Sequence, residues 1–334
     1  MKRRMKILAL ISGIMLVSVL GSCSKEESGA EKKGDIYKIG ISQIIQHSAL
    51  DSAREGFVEG LKEKGYVDGE NIKIDYQNAQ GDISIAQTIS KQFVNDDVDM
   101  IFAISTSSAQ AAYNSTKEIP IVFTAVTNPV AAEIAESFES SENNVTGTSD
   151  MVAMKSQIEL IEKFVPDIKN VGVIYNTSEA NSVVQVNELK AVAKERNIEV
   201  KEISITTVNE INQNLSSNIN EIDALYVPTD NTVASAYELV AKICLDNKVP
   251  MLCAEEAGVS KGGLCSIGID YYELGKEAAY KAVEIIEGKK PSEIEIERSS
   301  DMTITINTDV IEKLNLEIPD DIDDDVKKIA GGVN

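Results

Sequence analysis

The sequence predicts an α/β fold in which two similar lobes, each built on a parallel sheet, enclose a cleft. Short apolar runs rich in β-branched residues alternate with longer segments whose apolar residues recur three and four positions apart, which is the spacing of helices that cover a sheet. The apolar runs are nearly continuous, as is typical of strands buried on both faces. The alternation occurs twice, before about Val145 and after about Met151, so two lobes are expected.

The predicted elements follow this alternation along the chain. The strands are the β-rich apolar runs Tyr37–Ser42, Ile72–Tyr76, Val98–Ser105, Ile119–Val126, Val171–Asn176, Val200–Ile205, Ala224–Pro228 and Val249–Ala254. The helices are the segments with helical apolar spacing: Leu50–Lys64, Ile83–Asn95, Ser107–Ser115, Lys155–Phe164, Ser182–Arg196, Val208–Ile219 and Val233–Asn247. A strand at Gly262–Asp270, a helix at Tyr271–Glu287 and a strand at Met302–Ile306 complete the series.

The N-terminus predicts export and a lipid anchor. Residues 1–22 read as a signal peptide, because four cationic side chains precede an apolar run, Ile7–Leu20, that is too short to span a bilayer. Leu20-Gly21-Ser22-Cys23 resembles the bacterial lipobox, whose cysteine is diacylated, and two acyl chains suffice for stable anchoring. The alternative is an ordinary secretory signal with an incidental cysteine. Residues 23–35 are polar and predict a flexible linker. Export and the lipid anchor together predict that the body lies on the extracytoplasmic face of the cell membrane.

Composition excludes several classes of protein. The net charge of −22 argues against nucleic acid as a partner. His47 is the single histidine, and the chain has no GxSxG, HExxH, P-loop or GxGxxG motif, so we expect no enzyme, no cofactor and no metal. The cysteines at 244, 253 and 265 are expected to be buried small hydrophobes. Glu255 and Glu256 are expected in a solvated loop.

Eight motifs occur in order along the body of the chain and together resemble one family. They are Gly56-Phe-x-x-Gly60-Leu61, Asn78-Ala-Gln-Gly81-Asp82, Ser105-Thr-Ser-Ser-Ala-Gln110, Thr127-Asn128-Pro129-Val130, Asn144-Val-Thr-Gly-Thr-Ser-Asp150, Gly172-Val-Ile-Tyr175-Asn176, Val227-Pro-Thr-Asp230-Asn231 and Gly268-Ile-Asp270-Tyr271. From about Tyr37 to Pro319, the chain is similar to the ABC-transporter substrate-binding lipoproteins that resemble tryptophan- and tyrosine-binding proteins.

The resemblance implies the type I periplasmic-binding fold: two Rossmann-like lobes joined by a three-crossing hinge, which close on a small ligand. The ligand is then delivered to a membrane permease with its ATPase. The lobes expected on this basis are residues 36–147 plus 268–290 and residues 148–267 plus 291–325. Two departures concern the ligand: Asn128 stands where the family has an acid, and Ser48 stands where it has proline after the histidine.

The candidate site rests on the rule that ligands bind beyond the carboxyl ends of parallel strands. Ser105, Thr106 and Ser107 follow a strand and open a helix, so their hydroxyl and N–H groups could bind a carboxylate or serve only as a helix cap. Asp230, followed by Asn231, could pair with an ammonium group or cap the next helix.

Further polar residues sit at equivalent strand ends. Asn176, Glu179 and Asn181 are expected to bind ligand or cap a helix, and Thr127 and Asn128 lie in the corresponding loop of the first lobe. Three residues lie at the predicted crossings: Asp150, which faces the cleft or ties the hinge, and Asp270 and Tyr271, whose aromatic ring could stack on a flat ligand or pack between the lobes.

The ligand predicted by the resemblance is an amino acid, with aromatic ones favoured. A nucleoside or another small molecule remains the alternative, as does a sensor subunit without a transport role. Sugar sites of this fold usually stack the ring between tryptophans, and the chain has none.

Overall fold

The computed structural model describes residues 36–299, 302–320, 322 and 326–332. The predicted signal peptide (residues 1–22), the linker (residues 23–35) and the lipidation site Cys23 lie outside the described residues. Among the residues described, no helix is both long enough and apolar enough to cross a membrane.

The elements alternate as predicted. The strands are β1 (Tyr37–Gln43), β2 (Ile72–Asn78), β3 (Met100–Ile104), β4 (Ile121–Thr124), β5 (Val145–Ser149), β6 (Asn170–Asn176), β7 (Glu199–Ile205), β8 (Ala224–Val227), β9 (Met251–Cys253), β10 (Cys265–Ile269), β11 (Glu297–Arg298), β12 (Met302–Asn307) and β13 (Lys327–Ile329). The helices are α1 (Ser48–Glu63), α2 (Ile83–Asn95), α3 (Thr106–Ser115), α4 (Met154–Phe164), α5 (Ala180–Glu195), α6 (Ile211–Asn218), α7 (Asn231–Ala234), α8 (Tyr237–Asp246), α9 (Glu256–Ser260), α10 (Tyr271–Ile286) and α11 (Thr308–Leu314).

These elements form two sheets, one in each lobe. The first has the order β11-β5-β4-β3-β1-β2, and all its pairs are parallel. The second has the order β13-β12-β10-β9-β8-β6-β7 and is parallel except for the pair β10–β12. The predicted fold class, an α/β fold of two parallel-sheet lobes, is therefore confirmed.

The chain passes between the two sheets three times. It leaves the first sheet after β5, returns after β10 to form α10, and leaves again after β11. Residues 291–298, which the predicted boundaries place in the second lobe, lie beside the first sheet instead, because β11 pairs with β5 and Thr146 donates a hydrogen bond to the Ile294 carbonyl at 3.0 Å. The other two crossings follow β5, which ends at Ser149, and β10, which ends at Ile269.

Helix α10 joins the first lobe by very close packing on α1. A β-carbon at Gly56 would lie 2.0 Å from the carbonyl oxygen of Tyr272, and one at Gly275 would lie 2.0 Å from that of Ala53. Both distances are far below van der Waals contact, so only glycine lets the two helix backbones approach this closely. Beneath α1, Phe57 stacks on Phe102 of the sheet with ring centroids 3.6 Å apart.

Several elements were missed by the sequence patterns. Strands β5, β11 and β13 and helices α9 and α11 were not predicted, and the helix predicted at 233–247 is two helices, α7 and α8. Most residues of strand β5 are polar, yet all of it is buried, and Thr148 is satisfied there by the Leu274 carbonyl, to which it donates, and by the Thr124 hydroxyl. An apolar pattern cannot reveal a strand whose polar groups are satisfied by the tertiary fold.

Candidate functional site

The carboxyl ends of both sheets open towards a cleft between the lobes, and two side-chain contacts bridge it. His47 Nε2 lies 3.3 Å from Asn231 Oδ1, and the hydroxyls of Thr127 and Thr229 lie 3.1 Å apart. Because the amide nitrogen of Asn231 donates to Glu179, its oxygen faces His47, so Nε2 is the donor. Burial lowers the pKa of His47, which keeps the ring neutral, and no described residue is a hydrogen-bond partner of its Nδ1. The lobes therefore meet in a closed arrangement.

The start of α3 forms the first-lobe wall of the cleft. Ser105 has φ 92° and ψ 160°, a conformation that is strained for any residue except glycine, and its hydroxyl accepts a long hydrogen bond from Ser108 N at 3.5 Å. Thr106, Ser107 and Ser108 are all buried, and the hydroxyls of Thr106 and Ser108 have no hydrogen-bond partner among the residues that the structure describes. A positive helix end with unpaired buried donors is suited to an anionic group.

In the second lobe, Asp230 is held by donors from its own lobe. Its carboxylate accepts hydrogen bonds from Asn176 N at 2.6 Å, Ser182 Oγ at 2.7 Å and Val233 N at 2.9 Å. Burial and the neighbouring Glu179 raise the pKa of Asp230, while these hydrogen bonds oppose the shift. Asp230 thus caps α7 and fixes the loop after β6.

The carboxylate of Glu179 is likewise held by hydrogen-bond donors from its own lobe. Its carboxylate accepts from the backbone and side-chain nitrogens of Asn231 at 2.9 and 2.7 Å, and from the backbone nitrogen and hydroxyl of Thr232 at 2.9 and 2.8 Å. Asn176 Nδ2 also donates to the Thr232 hydroxyl, at 2.8 Å. Asn181 donates to the Thr229 carbonyl at 2.7 Å, but its own buried oxygen is unpaired. Asn181 is therefore the predicted second-lobe residue that keeps an unpaired polar atom.

A third group of side chains lies where the chain crosses between lobes. The Tyr271 hydroxyl donates to Asp150 Oδ2 at 2.8 Å, which leaves Asp150 Oδ1 buried and unpaired. Glu255, at the start of α9, is 3% exposed, and its Oε2 is also unpaired. Burial raises the pKa of Asp150, and burial together with Asp150, Asp230 and Glu179 raises the pKa of Glu255 to about 8.

Comparisons with known proteins agree with this geometry. The sequence model of the family described as ABC transporter substrate binding protein matches residues 38–329. The chain belongs to this family. The resemblance predicted from the eight motifs is thereby confirmed, and the chain is a substrate-binding protein of an ABC transporter that binds a small ligand.

Three relatives of this substrate-binding protein are informative. A protein of Clostridioides difficile (strain R20291) named tyrosine-binding protein is 47% identical over 320 residues, covering 93% of each chain. A structure from Streptococcus pneumonia in complex with L-Trp is 34% identical with a TM-score of 0.84, covering 87% of this chain and 99% of that one. A ligand-free, open structure of a substrate binding protein from Clostridium difficile is 46% identical with a TM-score of 0.68, covering 88% and 99%.

Of the two solved structures, the one with the higher sequence identity has the lower TM-score. The more identical protein, in its open state, superposes less well than the less identical one in its complex with L-Trp. Since closure moves the lobes as bodies, this difference is what a closed cleft produces. It agrees with the His47–Asn231 and Thr127–Thr229 contacts across the cleft of the substrate-binding protein.

Two predicted site residues serve local structure. Asp270 is exposed, and its carboxylate caps α10 by accepting from Tyr272 N at 2.8 Å and Glu273 N at 3.2 Å. Asn128 Oδ1 accepts from Ala131 N at 3.0 Å and so caps the following turn. An amide caps a turn as well as a carboxylate does, so Asn128 suits the local structure at this position.

The expectation of a solvated loop is wrong for Glu255. Glu255 points inward beside Tyr271, whereas Glu256 is the first residue of α9 and its partly exposed carboxylate pairs with Lys327 at 2.7 Å. Its position in the sequence could have predicted a site residue, because Glu255 follows β9 and so lies at the same sheet edge as Asp230. Both Glu255 and Tyr271 border a cavity of about 310 Å³ between α1, α9 and the start of α10.

Proposed function

We propose that this protein is lipid-anchored through Cys23 on the extracytoplasmic face of the membrane, where it captures an α-amino acid and delivers it to the permease and ATPase of an ABC importer. Aromatic amino acids are the preferred ligands. The observation that carries the proposal is the distribution of unpaired buried atoms: hydroxyl donors at the start of α3 on one side, and acceptor oxygens of Asp150, Asn181 and Glu255 on the other. Such a cleft is complementary to a zwitterion.

The carboxylate of the ligand is placed at the start of α3. There the backbone N–H groups and the hydroxyls of Ser105, Thr106 and Ser107 would donate to it, and the unpaired Thr106 hydroxyl would gain its missing partner. The strained backbone of Ser105 supports this role, because strain of this kind persists where a function requires it.

The remaining predicted residues shape the cleft walls. Asp230, Glu179 and Asn176 would hold the second-lobe loops in position, and Asn181 would offer its unpaired oxygen to the ligand. Thr127 and Asn231 would stabilise the closed form, since each contacts a side chain of the opposite lobe. The aromatic preference is supported by the name of the 47% identical relative and by the bound L-Trp of the 34% identical structure.

A thermal-shift screen tests the proposal. The purified protein is heated with each amino acid, with nucleosides and with sugars, because a ligand that binds only the folded state raises the melting temperature by mass action. Tyrosine, tryptophan or phenylalanine should raise it most, with an affinity near 1 μM, about −8 kcal/mol. Stabilisation by a nucleoside alone would overturn the amino-acid assignment. Uptake of the same ligand by cells should require this protein, and normal uptake in its absence would indicate a sensor instead.

A further inference from the structure

Three chain segments bring a pair of buried acids together at the hinge. Asp150 follows β5 as the chain leaves the first sheet, Glu255 follows β9, and Tyr271 opens α10 as the chain returns to the first lobe. All three side chains are less than one-tenth exposed. Because β5 and α10 belong to the first lobe and β9 to the second, the cluster lies between the lobes.

The hydrogen-bond inventory of this cluster is incomplete. The Tyr271 hydroxyl donates to one oxygen of Asp150, but among the described residues Asp150 Oδ1 and Glu255 Oε2 have no donor in hydrogen-bond geometry. The Thr127 hydroxyl lowers the pKa of Asp150 and the Tyr271 hydroxyl lowers that of Glu255, and in each case burial outweighs this effect. Buried polar atoms without partners are rare and costly, so each calls for an explanation. Asp230 and Glu179 differ in this respect, since three and five hydrogen bonds from their own lobe occupy them.

Within the part of the chain that the structure describes, the groups that act on the cluster include no positive charge. The groups that act on Glu255 are the carboxyls of Asp150, Asp230 and Glu179 and the Tyr271 phenol, while the phenol of Tyr237 and the thiol of Cys253 also lie within its influence. His47 is kept neutral by burial. Lys327 lines the adjoining cavity and pairs with Glu256, and Lys261 pairs with Glu238 at 2.6 Å.

We propose that Asp150 and Glu255 together bind the ammonium group of the ligand, with Tyr271 as the positioning residue that orients Asp150. This deepens the proposed function and rests on it. The ammonium supplies N–H donors for the two unpaired oxygens and a positive charge for a site surrounded by acids. Asp230, for which the sequence left ammonium binding and helix capping open, has its oxygens occupied and instead holds the loops of the second lobe.

One consequence is a proton released on binding. Burial raises the pKa of Glu255 to about 8, so in the ligand-free closed cleft this carboxyl holds a proton near neutral pH. A bound ammonium stabilises the ionised form and lowers the pKa, and the proton leaves to buffer. Asp150, whose pKa burial also raises, adds to the release.

The test compares two probes by titration calorimetry on the full-length protein in detergent. The probes are L-tyrosine and 3-(4-hydroxyphenyl)propionate, which lacks only the amine. Wild type should prefer L-tyrosine at least tenfold and release a proton at pH 7, measured from the dependence of the heat on buffer ionisation. Glu255→Gln and Asp150→Asn should each weaken L-tyrosine binding at least tenfold, bind the amine-free probe nearly unchanged and release fewer protons.

Two further variants complete the test. Tyr271→Phe should weaken L-tyrosine binding but not binding of the amine-free probe, which a purely structural role would not produce. Glu256→Gln removes the adjacent acid, which pairs with Lys327, and should bind both probes as wild type does. If wild type binds no amino acid, the proposed function fails and this inference with it. If wild type binds L-tyrosine and both acid variants bind it equally well, only the ammonium site is overturned.

Discussion

At the scale of single residues, the cleft contains two kinds of polar side chain: some have all their hydrogen bonds made, and others keep an unsatisfied buried atom. Asp230 and Glu179 are complete, while Thr106, Asp150 and Glu255 each keep a buried polar atom without a partner. Such atoms lower the stability of the ligand-free protein, and in the proposed site the ligand would supply their missing partners. Substitutions there should therefore move stability and binding in opposite directions.

Thr106→Val tests the carboxylate side of the cleft. Valine keeps the shape of threonine but removes the unpaired hydroxyl, so we expect about a tenfold loss of L-tyrosine affinity and unchanged or slightly higher stability. Calorimetry and thermal unfolding measure the two effects. Ser115→Ala, at the other end of α3, is the matched control, because its hydroxyl bonds only the Ala111 carbonyl within the helix. Equal affinity of Thr106→Val and wild type would remove Thr106 from the site.

Glu255→Gln tests the pH dependence of folding. Between pH 4.5 and about 8 the unfolded chain loses a proton at Glu255 that the folded protein keeps, so stability falls as the pH rises through this window. Glutamine does not titrate, and the variant should gain at least about 1 kcal/mol over wild type at pH 8 and little at pH 4. Urea unfolding across this range measures the difference. The same pH slope in both proteins would show that Glu255 is ionised in the folded state.

At the scale of elements, the first lobe depends on a helix supplied from the far end of the chain. Helix α10 follows β10 of the second sheet, yet it packs on α1 through Gly56 and Gly275. This contact ties the start of α10, and with it Tyr271, to the first lobe. The position of the hinge cluster therefore depends on helix packing at the back of the lobe.

Gly275→Ala tests this packing. The added methyl group would lie 2.0 Å from the Ala53 carbonyl oxygen, which is backbone and cannot rotate away, so the helices must separate. We expect a loss of about 1–3 kcal/mol in the free energy of unfolding. Glu284→Ala, on a partly exposed position of the same helix, should change it by less than about 0.5 kcal/mol. A Gly275→Ala variant as stable as wild type would show that the helices lie further apart in solution.

At the scale of the whole molecule, the three crossings and the contacts across the cleft describe a closed clamshell. The proposed cycle requires an open form to which ligand has access, and the bridging pairs His47–Asn231 and Thr127–Thr229 must break in it. Closure then has to be stabilised by the ligand, because only a ligand that binds the closed form better can shift the population towards it.

Small-angle scattering tests this cycle. Saturating L-tyrosine should reduce the radius of gyration of wild type by the amount expected of hinge closure. Thr229→Val removes one bridging hydroxyl and should raise the ligand concentration needed for the same change. A radius that does not respond to ligand would contradict the hinge movement.

Metabolic labelling with a fatty acid tests the anchor. Wild type should be labelled, because the lipobox-like Leu20-Gly21-Ser22-Cys23 supplies the acylated cysteine. Cys23→Ser should be unlabelled and released from the membrane. An unlabelled variant that stays on the membrane would show that something other than the lipid holds it there.

Much of this protein was determined by its sequence alone. Nearly continuous apolar runs such as Met100–Ile104 and periodic helices such as Ile83–Asn95 report burial directly, so the class of fold and most element bounds could be predicted from them. Strand-end position brought Ser105, Asn181 and Asp150 into the candidate site by the general rule for parallel sheets.

Only the tertiary structure decided which strands pair and which polar groups at the strand ends lack hydrogen-bond partners. Strand β11 is two residues long and exists because a crossing brings it beside β5, which no local pattern reveals. Asp230 and Glu255 both follow strands, yet only the fold surrounds the first with donors and leaves the second without them. Burial and hydrogen-bond partners depend on segments far apart in the chain, and local periodicity carries no information about them.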